Sequence, residues 1–315
     1  MKKKRLFLQL QKLTTERRNK NTLAIDTMEI REILHCINRE DQKVAVAVRK
    51  EIPHIEKAAD LVIGALRAGG RLIYVGAGTS GRLGILDAAE CPPTYGTKPA
   101  MIRGIIAGGK SAVFRSKEGA EDNKGEARRS MKKLKIGEKD VVCGIAASLR
   151  TPFVGAALQE AKRRGASTIL ITTNPRTIMK RREYNSIREY CDVAICPAVG
   201  PEVIMGSTRM KSGTAQKMIL NMITTTAMIR IGKVYQNLMV DLRMNSRKLE
   251  ERAKKVLMIV TGLDYHSASK TLRKAGGHIK TAVVMVKAGV SRNEARLRLK
   301  RAGGFVKKAI EGVQR

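Results

Sequence analysis

Gly76-Ala77-Gly78-Thr79-Ser80-Gly81 joins small side chains to two adjacent hydroxyls, a composition suited to gripping a phosphate. The turn follows an apolar run, Leu72-Ile73-Tyr74-Val75, and opens a stretch, Arg82 to Glu90, that reads as a helix stopped by Pro92-Pro93. Backbone N–H groups at the start of such a helix have no intrahelical acceptor and sit at the positive end of its dipole, so an anion is favoured there. The six residues match G-x-G-x-x-G, yet the carboxylate that a dinucleotide site wants about 20 positions on is missing: Met101–Ala107 runs into Gly108-Gly109-Lys110. The turn itself is not closed by Gly-Lys-Ser/Thr, since Gly81 runs into Arg82-Leu83, which removes the P-loop reading for it. The two hydroxyls favour a compact phosphate monoester; a nucleotide and a purely structural turn remain open.

Two further turns share this character. Ala147-Ser148-Leu149-Arg150-Thr151-Pro152 opens one helix, and the loop from Val199 through Gly206-Ser207-Thr208-Arg209 to Thr214 opens a long one expected to reach about Val234. Helix capping explains each alone, since Ser and Thr are favoured there; three such turns at strand ends suit convergence on one anion. For proton chemistry the candidates are carboxylates. Glu90 closes the expected helix, where the negative end of the dipole would raise its pKa toward that of a useful acid or base. Glu118-Gly119-Ala120-Glu121-Asp122 reads, from spacing alone, as a solvated helix start. His35, His54, His266 and His278 lie away from the strand ends, and His35 and His54 read as helix-surface residues. No His/Cys/carboxylate spacing suits a transition metal, so no metal site is expected, and no G-x-S-x-G elbow occurs.

The elements that must position these residues follow from periodicity. Apolar runs at Leu72–Val75, Met101–Ala107, Val141–Ala146, Thr168–Thr172 and Val193–Cys196 alternate with helical stretches such as Pro152–Arg164. That alternation predicts an α/β fold with a five-stranded parallel sheet covered by helices on both faces, its ligands lying beyond the carboxyl ends of the strands. Residues 11–28 read as irregular, 29–50 and 54–68 as helices, and the chain beyond Asn245 as a basic helical tail with a three-helix module from about 252. The expected division is 1–56 for an arm and helices, 57–235 for the sheet domain, and 236–315 for a helical connection and module.

Composition narrows the partners. The 315 residues carry 62 Lys+Arg against 28 Asp+Glu, formally +34, which favours salt-sensitive attraction to polyanions. The basic residues are nevertheless scattered, and with 3% aromatics and no Trp there is little to stack bases on, so no specific nucleic-acid partner is expected. Five cysteines, Cys36, Cys91, Cys143, Cys191 and Cys196, form no C-x-x-C pair and suit a reducing cytoplasm, with Cys143 a small core residue. Met1–Arg5 is like the start of a signal peptide, but Leu6–Leu10 is short and interrupted, and no apolar run approaches the roughly 20 residues of a membrane span. A soluble cytoplasmic protein is expected.

Three stretches carry a resemblance: GAGTSGRLGILDAAECPPTYG, the EGAEDN segment, and VGPEVIMGSTRMKSGTAQKMILNMITTTAMIRIGKVYQNLMVD. With the amino-terminal TTERRNKNTLAID they resemble the N-acetylmuramic acid 6-phosphate etherases, enzymes built on the sugar-isomerase-type (SIS) domain, over roughly residues 12–310. The resemblance implies a flavodoxin-like sheet, a homodimer, and cleavage of the D-lactyl ether of N-acetylmuramic acid 6-phosphate by elimination and hydration. It implies the acid/base role at Glu90 and a second functional glutamate at Glu121, against the solvated reading of that cluster. Phosphate contacts would fall on Gly78, Thr79, Ser80, Gly81 and Ser148, with Ser207 and Thr208 from the third loop. Carboxylates suffice for this chemistry, so no cofactor is implied.

Two features strain the picture. A continuous helix from Arg82 to Glu90 spans roughly 12 Å at about 1.5 Å per residue, farther than a hexose 6-phosphate sets its reacting carbons from phosphorus. Either the helix is short and turns back or Glu90 serves the neighbouring subunit. Leu149 stands where the family's second loop usually has glycine, and leucine resists positive φ. The competing reading is a non-catalytic sugar-phosphate sensor on the same fold.

Overall fold

The strands at the centre of the sheet are buried and mostly apolar because both their faces are covered, whereas an edge strand carries the exposed Arg103. The strands are β1 Leu72–Gly76, β2 Ile102–Ile106, β3 Val141–Ile145, β4 Ser167–Ile171 and β5 Val193–Ile195. Every pairing is parallel, and the spatial order β2-β1-β3-β4-β5 is the flavodoxin-like one. The computed structural model describes residues 11–242 and 247–312, without the side chains of Arg182, Asn185 and Ser186. The Met1–Leu10 stretch weighed as a signal peptide, and Asn245, taken as the start of the tail, lie outside the described residues.

The helices are α1 Ile30–Arg49, α2 Ile52–Arg67, α3 Gly78–Tyr95, α4 Lys124–Lys133, α5 Pro152–Arg163, α6 Lys211–Arg230, α7 Arg247–Thr261, α8 Tyr265–Lys274, α9 Ile279–Ala288, α10 Arg292–Arg301 and α11 Val306–Glu311, with shorter helical turns between some of them. By contact density the chain divides into two compact units, residues 1–88 with 100–223, and residues 89–99 with 224–315.

In the first unit, Ile73, Val75 and Val142 share a core with Phe153, Val154 and Leu158 of α5. The opposite face of β1 meets α3 at Gly84, where a Cβ would stand 2.8 Å from Tyr74 Cβ, so glycine there lets helix and strand approach. Arg71, just before β1, is tied to Asp140, just before the neighbouring β3, through Nε at 2.9 Å and Nη2 at 2.6 Å. All five cysteines are free thiols; Cys143 is wholly buried in β3, and burial pushes its thiol up. Residues 14–27, expected to be irregular, form three short 3-10 turns.

Three expectations are corrected. α3 continues through Pro92 and Pro93 to Tyr95 rather than stopping at Glu90. Proline removes donors at two positions, while the i→i−4 bonds on either side, with Gly96 N–H on the Pro92 carbonyl at 3.0 Å, carry the helix on. α6 ends at Arg230 rather than Val234, because Gly232 takes φ 78° and the chain enters a small hairpin, β6 Val234–Tyr235 with β7 Leu238–Met239. Between Arg247 and Glu311 there are five helices, not three. The additional break falls at Ala275-Gly276-Gly277, and Ala302-Gly303-Gly304 joins the last helix pair in the same way, through glycines at positive φ. In the second unit these helices close on a core that includes Leu257, Leu272, Val283 and Val306. Asp241 there accepts the Lys280 ammonium at 2.6 Å and that of Lys233 at 3.0 Å.

Candidate functional site

β1 ends in Gly76, and α3 begins two residues later at Gly78, whose φ of 53° turns the chain from strand into helix. A Cβ at Gly76 would stand 2.6 Å from Gly81 N, and one at Gly81 would stand 2.6 Å from Ile106 Cγ1. Both glycines are therefore needed to bring backbone against backbone. The first N–H groups of such a helix have no acceptor within it. Thr79 and Ser80 sit in this first turn, half-buried and buried.

The turn is braced from α6. Ser80 Oγ donates to Gln216 Oε1 at 2.9 Å, and a Cβ at Gly213 would lie 3.4 Å from Thr79 Cγ2. Ser212, one residue earlier, accepts the Thr173 hydroxyl at 2.9 Å. Thr172 and Asn174 in turn donate to the Ala147 carbonyl at 2.9 Å each, tying the second loop to the end of β4. The three hydroxyl-bearing turns thus belong to one hydrogen-bonded framework within the first unit. Ser148, half-buried, accepts the Arg150 N–H on its Oγ at 3.3 Å. Leu149 takes φ 61° and is buried, so the loop adopts the conformation glycine would favour despite its side chain.

The third loop is held by buried charge. Both oxygens of Glu202, fully buried, accept the N–H groups of Lys211 and Ser212 at 2.9 Å, capping α6. The Lys211 ammonium, 1% exposed, meets Glu40 of α1 at 2.6 Å. Burial alone would raise the Glu40 carboxyl; bonds from Lys211, Lys43 and Asn21 outweigh it and hold the pKa at about 2. Ser207 and Thr208 are half-buried in the turn before α6, where the Gly213 N–H donates to the Thr208 carbonyl at 3.0 Å. The amino-terminal arm closes on the same region: Thr22 Oγ1 donates to the Val203 carbonyl at 2.8 Å, and the Thr14 N–H to Asn174 Oδ1 at 2.8 Å.

Of the two glutamates, Glu121 lies in the first unit on the 3-10 turn Ala120–Asp122, which packs on α5, the helix opened by the second loop. Desolvation, then the Asp122 charge, push its carboxyl up. Glu90 is exposed on α3, within the segment that belongs to the second unit. Of the two ways of easing the distance problem, a short helix that turns back is removed, because α3 is continuous. Among the described residues no group of three or more His, Cys, Asp or Glu is placed to hold a metal ion, and no helix is long and apolar enough to cross a membrane.

Comparison with known proteins gives the family. An N-acetylmuramic acid 6-phosphate etherase of Salinibacter ruber is 56% identical over 280 residues, covering 89% of this chain and 88% of its own length. The chain belongs to the N-acetylmuramic acid 6-phosphate etherase family. An etherase of Symbiobacterium thermophilum is 52% identical over 277 residues, covering 88% of this chain and 89% of its own length. Residues 54–162 match the model of the glucokinase regulatory protein N-terminal SIS domain. Among solved structures, phosphoheptose isomerase of Neisseria gonorrhoeae aligns with 63% of this chain and 98% of its own, at 16% identity and a TM-score of 0.44.

Gln216, Thr173, Ser212, Glu202, Lys211 and Glu40 were not singled out from the sequence. The i, i+4 spacing of Ser212 and Gln216 at the start of α6 puts them on one helix face and is the local signal that was available. Nothing local announces Glu40, whose partner is 171 positions away.

Proposed function

We infer that this etherase family member cleaves the D-lactyl ether of N-acetylmuramic acid 6-phosphate, yielding N-acetylglucosamine 6-phosphate and D-lactate. The observation that carries the reading is identity above 50% across nearly nine-tenths of both chains to proteins named for that activity. In the mechanism we propose, the open-chain aldehyde acidifies the C2–H, and a carboxylate takes that proton. The C3–O bond breaks, lactate leaves with a proton from an acid, and water adds across the resulting double bond to restore the C3 hydroxyl. Glu90 and Glu121 are the proposed proton carriers. Gly78, Thr79, Ser80, Gly81 and Ser148, with Ser207 and Thr208, are the proposed phosphate grip. Holding the phosphate contributes binding energy remote from C2 and C3, which positions those carbons.

We further propose a cytoplasmic homodimer whose site is shared between subunits, so that Glu90 of one serves the loops of the other, with no specific nucleic-acid partner. The functional division proposed is 1–56, 57–235 and 236–315. Release of D-lactate from N-acetylmuramic acid 6-phosphate, and its absence with the unphosphorylated sugar, tests the reading. A sensor without chemistry draws support from the match to the regulatory-protein SIS model; it predicts phosphosugar binding and no lactate.

A further inference from the structure

On the α4–α5 side of the second loop lies a cavity of about 440 Å³ that none of the proposed phosphate or proton residues lines. Its wall includes Lys124, Arg128, Leu149, Arg150, Glu183 and Tyr184. Three of these contribute polar atoms that are buried without a hydrogen-bond partner among the described residues: Arg150 Nη1, Glu183 Oε1 and Tyr184 OH. Tyr184 as a whole is 6% exposed. Such atoms are few in native proteins, and three gathered around one space point to something that supplies the missing partners.

The chemistry of the wall defines that occupant. Three cations face one carboxylate, so the balance favours an anion. The Glu183 carboxylate can only accept, so the occupant must also offer a hydrogen from a hydroxyl or amino group. The volume lies in the range of small-molecule sites, about 300–1,000 Å³. We propose that this cavity is a second binding site, for a small hydroxylated anion of hexose-phosphate size. Its charged group lies on Arg150, Lys124 and the Tyr184 hydroxyl, and its hydroxyl or amino hydrogen on Glu183.

The position gives the site a consequence for the reaction proposed above, on which this part rests. The Arg150 backbone N–H donates to Ser148 Oγ at 3.3 Å, so the residue whose guanidinium faces the occupant is also the one whose main chain touches the Ser148 hydroxyl. Leu149, at φ 61°, lies between them with its side chain in the cavity wall. Occupancy would favour the loop conformation in which Ser148 is held.

The test is calorimetric titration of the full chain with glucosamine 6-phosphate. The wild type is expected to bind two molecules per chain, and the Thr79→Val/Ser80→Ala double variant one. Adding Tyr184→Phe or Glu183→Gln to that background weakens the remaining site about tenfold, the effect of losing one hydrogen bond to a charged group. Both are near-isosteric, and an unchanged thermal midpoint shows that the fold is kept. A double variant that binds nothing, or remaining binding that neither Tyr184→Phe nor Glu183→Gln weakens, overturns the proposal and leaves a water-filled cavity. If the Thr79→Val/Ser80→Ala change removes neither site, the phosphate-loop reading fails instead, and the cavity still stands or falls on Tyr184→Phe and Glu183→Gln.

Discussion

The loops after β1 and β3 occupy equivalent places, each leaving a central strand and opening a helix, yet they are built on opposite principles. The first makes room by omission: Cβ atoms at Gly76 and Gly81 would meet backbone or a packed isoleucine at 2.6 Å. The second is filled: Leu149 holds φ 61° and buries its side chain in the first unit's core. A left-handed leucine costs about 1–2 kcal/mol, which burying the side chain, worth about 1.5–3 kcal/mol, offsets. Topology therefore decides where a phosphate loop can stand. Side chains decide whether it is shaped by close backbone approach or by an anchor.

Both loops are proposed to bind phosphate and neither to transfer protons, and the largest expected effect tests that. Glu90→Gln is expected to lower kcat for lactate release at least about a hundredfold while KM stays within about twofold. A KM change with kcat intact would move Glu90 among the binding groups. Next, Gly81→Ala should destabilise the fold by about 1–3 kcal/mol through overpacking against Ile106, read as a lower urea midpoint at constant slope. The second loop is sharpened by a pair of variants. Leu149→Ala and Leu149→Gly both lose the buried side chain, but only glycine relieves the positive φ, so Leu149→Gly should be the more stable by about 1 kcal/mol. Leu149→Gly should also lower KM if the leucine holds backbone away from phosphate.

A smaller effect is expected at Gln216→Leu, which removes the acceptor of the Ser80 hydroxyl: KM should rise about fivefold, the worth of one neutral hydrogen bond. The smallest concerns pH. Burial and then the Asp122 charge raise the Glu121 carboxyl, so it stays protonated to a higher pH than an ordinary glutamate. If it donates a proton, the alkaline limb of kcat lies correspondingly high, and Asp122→Asn should move that limb toward acid in a pH–rate profile. Stability has its own pH window at Glu40, whose pKa is lowered from 4.5 to about 2. Its contribution is complete above the unfolded value and is lost as pH falls from 4.5 through about 2.

Much of the fold was legible because it rests on local periodicity. Five apolar runs became five parallel strands, and the stretch Pro152–Arg164 became α5, Pro152–Arg163. The end of α3 was misread because a Pro-Pro pair after Glu90 looks like a stop, whereas proline deletes donors without preventing the flanking turns from forming. The five-helix tail was undercounted because Gly276-Gly277 lies inside a run of good helix formers. Leu149 could be flagged from the sequence as out of place, but not that the loop would keep positive φ around it.

By itself the sequence determined the glycine turn, the three hydroxyl-bearing loops, the parallel sheet and the family, since each is written in spacing over a few residues or in long identical stretches. Only the tertiary structure decided that Ser80 is braced by Gln216, 136 positions away, that Glu202 caps α6 while Lys211 reaches Glu40, and that Arg150, Glu183 and Tyr184 enclose one cavity. Such pairings follow from how distant segments pack, and no local pattern of residue types carries that information.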